Sequence, residues 1–156
     1  MKSLFIFFLL ALLANGCASG PSKSDLDAEV RRLCAIDGGI KVYETVRLPA
    51  EQFDSQGFIK FFRAGGGENA LGTDYLYREK DTYLLKGEYE APAMWKNHLQ
   101  VIRRSDMKIL GESISYTRRG GDLPGPWHPS SYICPELKDQ NLLERIFSGR
   151  QQGDKK

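Results

Sequence analysis

The chain has 156 residues, 22 basic and 20 acidic, with a formal net charge of +2 and 41% hydrophobic residues. This length suits one domain with a single core. The near-neutral balance excludes the electrostatic argument for a nucleic-acid partner, which needs a strong basic excess. We therefore expect no binding to nucleic acid.

The N-terminus has the pattern of an export signal. Lys2 supplies positive charge, and residues 4–14 form an apolar run that is shorter than the roughly 20 residues a membrane-spanning helix needs. Small residues, Ala14 and Gly16, then precede Cys17, as at the cleavage site of a secretory signal. The pattern predicts a signal peptide over residues 1–16.

The segment Leu13-Ala14-Asn15-Gly16-Cys17 resembles the lipobox of bacterial lipoproteins. The resemblance implies that the Cys17 sulfur carries a diacylglyceryl group and that Cys17 begins the mature chain. Several acyl chains would anchor the protein firmly, since stable attachment takes more than one. Ala18 and Ser19 follow, where an aspartate would imply inner-membrane retention, so we expect an outer-membrane lipoprotein facing the periplasm. Simple secretion and a retained anchor helix are the alternatives.

The predicted export bears on the two cysteines that follow Cys17. If Cys17 carries lipid, Cys34 and Cys134 remain as a pair in an oxidising compartment. An even remainder in that setting predicts a disulfide. Two buried thiols are the alternative.

Residues 17–23 are expected to hold the lipidated cysteine and a short tether. Ser24 then has the position of a helix N-cap, with Asp27 in the capping-box position. The apolar residues that follow lie on one helical face, which includes Cys34. Asp37-Gly38-Gly39 is expected to end this helix.

The middle of the chain predicts antiparallel strands. Residues 40–48 alternate as one strand in which only Glu44 is out of character, and a proline-led helical turn over 49–53 and a short strand over 58–62 follow. Residues 75–78 and 82–86 are expected to form one hairpin. A second hairpin is expected from 98–103 and 108–117, turning at Ser105-Asp106 with a bulge near Gly111.

The C-terminal third predicts a final helix. It opens at Cys134-Pro135-Glu136, presents Leu142, Leu143, Ile146 and Phe147 on its apolar side and ends at Gly149. The fold class is therefore α+β: one small domain over residues 24–149, with an antiparallel meander of about five to six strands flanked by an N-terminal and a C-terminal helix. Residues 150–156 are expected to be a mobile polar tail.

Two further stretches, residues 33–44 (LCAIDGGIKVYE) and 120–128 (GGDLPGPWH), resemble those of small uncharacterised lipoproteins of Gram-negative bacteria. The resemblance covers most of the mature domain. It implies an envelope location and no activity.

The sequence contains no clear pattern of a catalytic or metal site. A cysteine nucleophile beside His98 or His128 conflicts with a disulfide that uses both thiols. A zinc site typically has close-spaced Cys or His ligands, and the two histidines lie thirty residues apart. Glu88 and Glu90 share a strand face, as many solvated pairs do. We expect no catalytic residue, no metal and no cofactor.

The glycine run over residues 65–67 is not a phosphate cradle, because Glu68 follows where a P-loop carries its lysine. The arginine pairs Arg31-Arg32, Arg103-Arg104 and Arg118-Arg119 each have acids nearby and are interpreted as solvated faces. A patch for anionic lipids or glycans is the alternative.

The most distinctive segment is the proline-rich stretch around Trp127 and His128. Two interpretations stay open: the Trp127 ring covers the core, or the prolines make the segment a stiff, preorganised recognition loop.

The sequence therefore predicts a non-catalytic accessory or binding module. Its partners are the lipid bilayer, through an N-terminal anchor, and an envelope protein or glycan. An inhibitor or immunity-type protein for an exported enzyme or toxin, and an envelope-polymer hydrolase, are the alternatives.

Overall fold

The structure is a computed structural model that describes residues 20–87, 91–122, 128–136 and 141–149. The predicted signal peptide, the lipid attachment at Cys17 and the polar tail lie outside these residues. The described chain confirms the predicted fold class, a small α+β domain with an antiparallel sheet and a helix near each end.

Helix α1 spans Lys23–Asp37. Its N-cap is Ser22, not Ser24, and the capping box is completed by Asp25 and not by Asp27, so the predicted start is wrong by two residues. Ser22 is the N-cap because its hydroxyl accepts a hydrogen bond from the Asp25 N–H, while the Asp25 carboxylate accepts one from the Ser22 N–H. The helix ends at Gly38, and Gly39 has a φ of 115° that favours glycine.

Five strands form the main sheet, in the order β1-β5-β4-β3 with β6 beside β5. Their bounds are Gly39–Val42 (β1), Tyr75–Leu85 (β3), Ala93–Arg103 (β4), Lys108–Arg119 (β5) and Ser131–Cys134 (β6). β5 is the central strand: β4 pairs along one edge, and β1 and β6 share the other. The expected meander therefore covers β3, β4 and β5, and the shorter strands extend it.

The expected bulge in β5 is confirmed. Val101 pairs with Gly111 and Ile102 pairs with Ile109, so Leu110 is the extra residue. It is fully buried in the core.

A second, two-stranded sheet pairs β2 (Val46–Leu48) in parallel with β7 (Phe147–Gly149), which directly follows helix α2 (Leu142–Ile146). Residues 40–48 are thus not one strand. The chain leaves the main sheet after Val42 and enters the small sheet at Val46. One 3₁₀ turn, Ala50–Gln52, follows β2, as expected, and another spans Gly67–Asn69.

Two cores lie on opposite faces of the main sheet. On the α1 face, Val30 and Cys34 pack with Met94, Ile114 and Tyr116. On the α2 face, the buried cluster combines helix, strand and loop residues: Leu71, Val101, Leu110, Leu142, Ile146 and Phe147. A side chain at Gly111 would meet Ile146 Cδ1 at 2.9 Å, so glycine there lets α2 approach the sheet.

Three further local predictions are wrong. Residues 75–86 do not form a hairpin, because β3 runs unbroken and pairs with β4. Residues 58–62 contribute only an isolated bridge from Ile59 to Phe53. Cys134 ends strand β6 and does not open a helix, because helical geometry is disfavoured for a residue before proline and because Cys134 pairs with Tyr116. The final helix also stops at Ile146 and not at Gly149, since Phe147–Gly149 pairs with β2 as strand β7.

Candidate functional site

The predicted disulfide is formed in the structure. Cys34, on the buried face of α1, bonds to Cys134 at the end of β6 with an S–S distance of 2.04 Å and 6.0 Å between the Cα atoms. The bond joins the helix to the edge strand beside the α1-face core. Because it uses both thiols, it leaves neither as a nucleophile.

A buried arginine holds the two ends of the proline-rich loop together. Arg118 is 1% exposed, and its Nη1 donates to the carbonyls of Gly120 and Ser130 and to the Ser130 hydroxyl at 2.8 to 3.0 Å. Its charge is balanced by Asp27 of α1, with Nε and Nη2 at 2.8 and 2.7 Å from Oδ1. Gly120 lies before the loop and Ser130 after it, so Arg118 ties both ends to α1.

Asp122 makes a second clamp across the same base. Its carboxylate accepts from the Ser130 N–H at 2.7 Å, from the Ser130 hydroxyl at 2.8 Å and from Lys23 Nζ at 3.1 Å. These contacts, led by the Ser130 backbone N–H, lower the Asp122 pKa to about 2. The carboxylate is therefore ionised at neutral pH and keeps the clamp closed.

The loop base and the start of α1 lie side by side. The Lys23 N–H donates to the Gly121 carbonyl at 3.1 Å. The candidate Trp127 and the rest of residues 123–127 lie outside the described residues, whereas His128 is described and exposed. The structure thus describes the base of the candidate recognition loop.

Sequence reasoning missed Arg118 and Asp27. The sequence pattern predicts a solvated face for Arg118 and a capping box for Asp27, and both predictions are wrong, since Arg118 is buried and Asp25 completes the cap. The useful signal is the alternation in β5, where Ile114, Tyr116 and Arg118 share the α1 face and Arg119 points the other way and is exposed. A cation on the same strand face as core residues needs a buried counter-charge. Asp27 of α1 supplies it to Arg118.

A histidine and a carboxylate meet elsewhere on the α1 face of the sheet. His98 Nε2 lies 2.8 Å from Glu112 Oε2, and the Tyr43 hydroxyl donates to Glu112 Oε1 at 2.5 Å. The hydrogen bond from Tyr43, followed by His98, lowers the Glu112 pKa. The pair orients the imidazole, and Tyr43 crosslinks the chain after β1 to β5. His98 therefore bonds to Glu112, while Cys34 and Cys134 bond to each other.

Glu44 explains the break between β1 and β2. It lies between Arg103 and Lys108, forming a hydrogen-bonded ion pair with Arg103 and a 2.6 Å contact with Lys108 Nζ. These two partners lower the Glu44 pKa to about 2. Asp106 adds a contact to Arg103 at 2.7 Å, so the network fixes the β4–β5 turn to the crossing chain.

Among the described residues, an apolar cavity lies on the α2 side of the main sheet. It has a volume of about 200 Å³ and lies between the 53–62 segment and α2, where Phe58, Phe62, Leu143 and Phe147 contribute to its lining. Phe58 and Phe62 are partly exposed to solvent. The surrounding groups, chiefly aromatic rings, suit packing rather than acid–base chemistry.

The remaining sequence candidates do not converge on a reaction centre. The described residues contain no cluster of three or more His, Cys, Asp or Glu side chains suited to a metal ion. Glu88 and Glu90 lie outside the described residues. Glu68, after the glycine run, pairs with Arg78 at 3.2 Å. Within the described ranges, no helix has the length and apolarity to span a bilayer.

Comparison with known proteins gives no relative: no protein-family model, no curated protein and no solved structure matches this chain.

Proposed function

We infer that this protein is a lipid-anchored lipoprotein of the bacterial outer membrane, facing the periplasm, and that its domain is a non-catalytic accessory or binding module. The lipobox-like segment ending at Cys17 supplies the anchor. The Cys34–Cys134 bond is the observation that carries the proposal, because disulfides persist mainly in oxidising compartments.

The start of α1 gives the module a direction relative to its anchor. Only five residues separate Cys17 from Lys23, and at about 3.6 Å per residue they reach roughly 20 Å. Lys23 contacts Gly121 and Asp122 at the base of the proline-rich loop. The loop that contains Trp127 therefore belongs to the membrane-proximal end of the proposed module.

The base of that loop suits a recognition element. Arg118 and Asp122 hold both of its ends with charge-assisted hydrogen bonds. A loop with fixed ends and several prolines loses less conformational entropy when it binds. Tryptophan suits both a protein interface and the lipid headgroup region, since it combines a large apolar ring with one polar N–H. We propose Trp127 and His128 as the contact residues for an envelope protein or glycan.

Fractionation of a Gram-negative host that expresses the full chain tests the anchor. The wild-type protein should be in the outer-membrane fraction, and Cys17→Ser should move it out of that fraction. Ser19→Ala is the matched control, because it changes the same segment but keeps the thiol. Equal distribution of wild type and Cys17→Ser would contradict the proposal.

In-cell crosslinking tests the loop. A photoreactive residue at position 128 should crosslink to a specific envelope component, and Trp127→Ala should abolish that product without changing the fractionation. Unchanged crosslinking after Trp127→Ala would contradict the assignment of the loop.

A further inference from the structure

β3 is an edge strand with a long open side. It pairs with β4 alone, and residues 78–84 are exposed without interruption. Among the described residues, the backbone–backbone hydrogen bonds of β3 all go to β4, and at its first residue the Tyr75 carbonyl also accepts from Arg104 Nε at 3.3 Å. Every second peptide group of an edge strand directs its N–H and C=O away from the sheet, where another strand can pair with it.

Charge is sorted by face along this strand. Arg78 and Lys80 lie opposite Gln100 and His98, on the α1 face. Glu79 and Asp81 lie on the other face.

Neither of these two carboxylates has a cationic partner among the described residues. Asn97 of β4 donates to both, at 2.7 Å to Glu79 and 2.9 Å to Asp81. Arg78 is ion-paired with Glu68 at 3.2 Å, so among the described residues the unpaired charges of this edge are Lys80 on one face and Glu79 and Asp81 on the other.

This pattern opposes pairing of β3 with a second copy of itself. When two copies extend a sheet as antiparallel neighbours, directly opposed residues come from the same face. Pairing centred on Glu79 sets Arg78 opposite Lys80 and Glu79 opposite Glu79, and pairing centred on Lys80 sets Lys80 opposite Lys80 and Glu79 opposite Asp81. Like charges directly opposite each other are destabilising. The edge is thus protected from self-association but is open to a strand with the opposite charge order.

The C-terminal end of β3 carries two exposed apolar side chains that a partner could contact. Tyr83 is 53% exposed and Leu84 is 47% exposed. The Tyr83 ring lies 5.9 Å from the Trp95 ring, which limits its motion. Exposed, held aromatic side chains are frequent anchors of protein interfaces.

We propose that β3 docks an extended segment of a partner protein as an additional antiparallel strand. That segment carries basic residues opposite Glu79 and Asp81, an acidic residue opposite Lys80 and an apolar residue opposite Tyr83. Strand addition takes its affinity from main-chain hydrogen bonds and its selectivity from alternate side chains. The inference rests on the proposed role as a binding module and names its docking edge. It is independent of the lipid anchor and of Trp127.

Two capped peptides of identical composition test the proposal. Thr-Val-Thr-Lys-Glu-Lys-Glu places complementary charges opposite residues 81–78 and its valine opposite Tyr83. Thr-Val-Thr-Lys-Lys-Glu-Glu places like charges opposite Lys80 and Glu79 in the same register. Each is titrated into the purified full chain in detergent micelles, and two-dimensional amide NMR records which backbone amides shift.

The alternating peptide should shift amides of β3, and the block peptide should bind about tenfold more weakly, since two cross-strand pairs change from attraction to repulsion. The variant Glu79→Lys/Asp81→Lys should lose the preference. Its matched control, Glu51→Lys/Glu144→Lys, changes the net charge equally at exposed positions away from β3 and should keep it.

Equal affinity for the two peptides, or shifts confined to residues outside β3, would overturn the proposal, as would a dimer formed through β3. A negative result here leaves the crosslinking and fractionation tests of the proposed function unaffected, so the failure of one is distinguishable from the failure of the other.

Discussion

Removing the disulfide is the perturbation whose magnitude follows most directly from the structure. The variant Cys34→Ala/Cys134→Ala opens a ring between residues 100 positions apart. The cross-link stabilises the fold mainly because it restricts the unfolded chain, and the chain-entropy relation gives about 4.7 kcal/mol for a ring of that size. Domains are typically stable by about 5–15 kcal/mol, so the loss is a large fraction of the total.

The expected change in the free energy of unfolding is a decrease of about 3–5 kcal/mol, with a melting temperature lower by roughly 10–20 °C. Part of the effect in the variant comes from packing, because Cys34 is 9% exposed and contacts the α1-face core. The wild-type protein with its disulfide reduced is the matched control, since it keeps the sulfur atoms and loses only the cross-link.

Urea unfolding followed by circular dichroism measures all three proteins. The reduced wild type should lose most of the stability that the variant loses. A decrease of less than about 1 kcal/mol on reduction would refute the reasoning, because it would mean that the ring closure does not restrict the unfolded chain as argued.

Three other predictions concern single side chains. Arg118→Met should lower the free energy of unfolding by about 3–5 kcal/mol because it leaves the largely buried Asp27 carboxylate unpaired, whereas exposed Arg119→Met should change it by less than about 0.5 kcal/mol; urea midpoints compare them. The ion pair with Arg103 lowers the Glu44 pKa from 4.5 to about 2, so stability should fall as the pH drops through that interval, and Glu44→Gln should flatten this part of a pH–melting curve. Because Trp127 is proposed as a contact residue, Trp127→Ala should abolish the crosslink from position 128 and leave the melting temperature unchanged; a melting temperature lower by several degrees would show instead that the ring covers the core.

The sequence predicted the features that depend on the spacing of neighbouring residues or on the number of cysteines. The apolar spacing that ends at Cys34 placed α1, and the change of phase near Gly111 placed the β5 bulge. The disulfide followed from the number of cysteines left once Cys17 is assigned to lipid. None of these needs knowledge of which segments meet in space.

The predictions that were wrong concern segments whose structure is set by residues far away in the chain. Residues 40–48 alternate as one strand, but Glu44 binds Arg103 and Lys108 from another part of the chain and lies where the strand breaks. The charged run at 78–81 resembled a turn, yet an edge strand exposed on both faces tolerates charges on each. The parallel partner of β2 follows α2, a hundred residues later, and its short segment carries no periodic signal of its own.

The intact mass of the protein purified from envelope membranes tests the central claim most directly. Measured without and with reductant, it should correspond to a chain that begins at Cys17, carries the added mass of diacylglyceryl and acyl groups, and gains two hydrogens on reduction. A chain that keeps residues 1–16, carries no lipid and has free thiols at Cys34 and Cys134 would contradict the account.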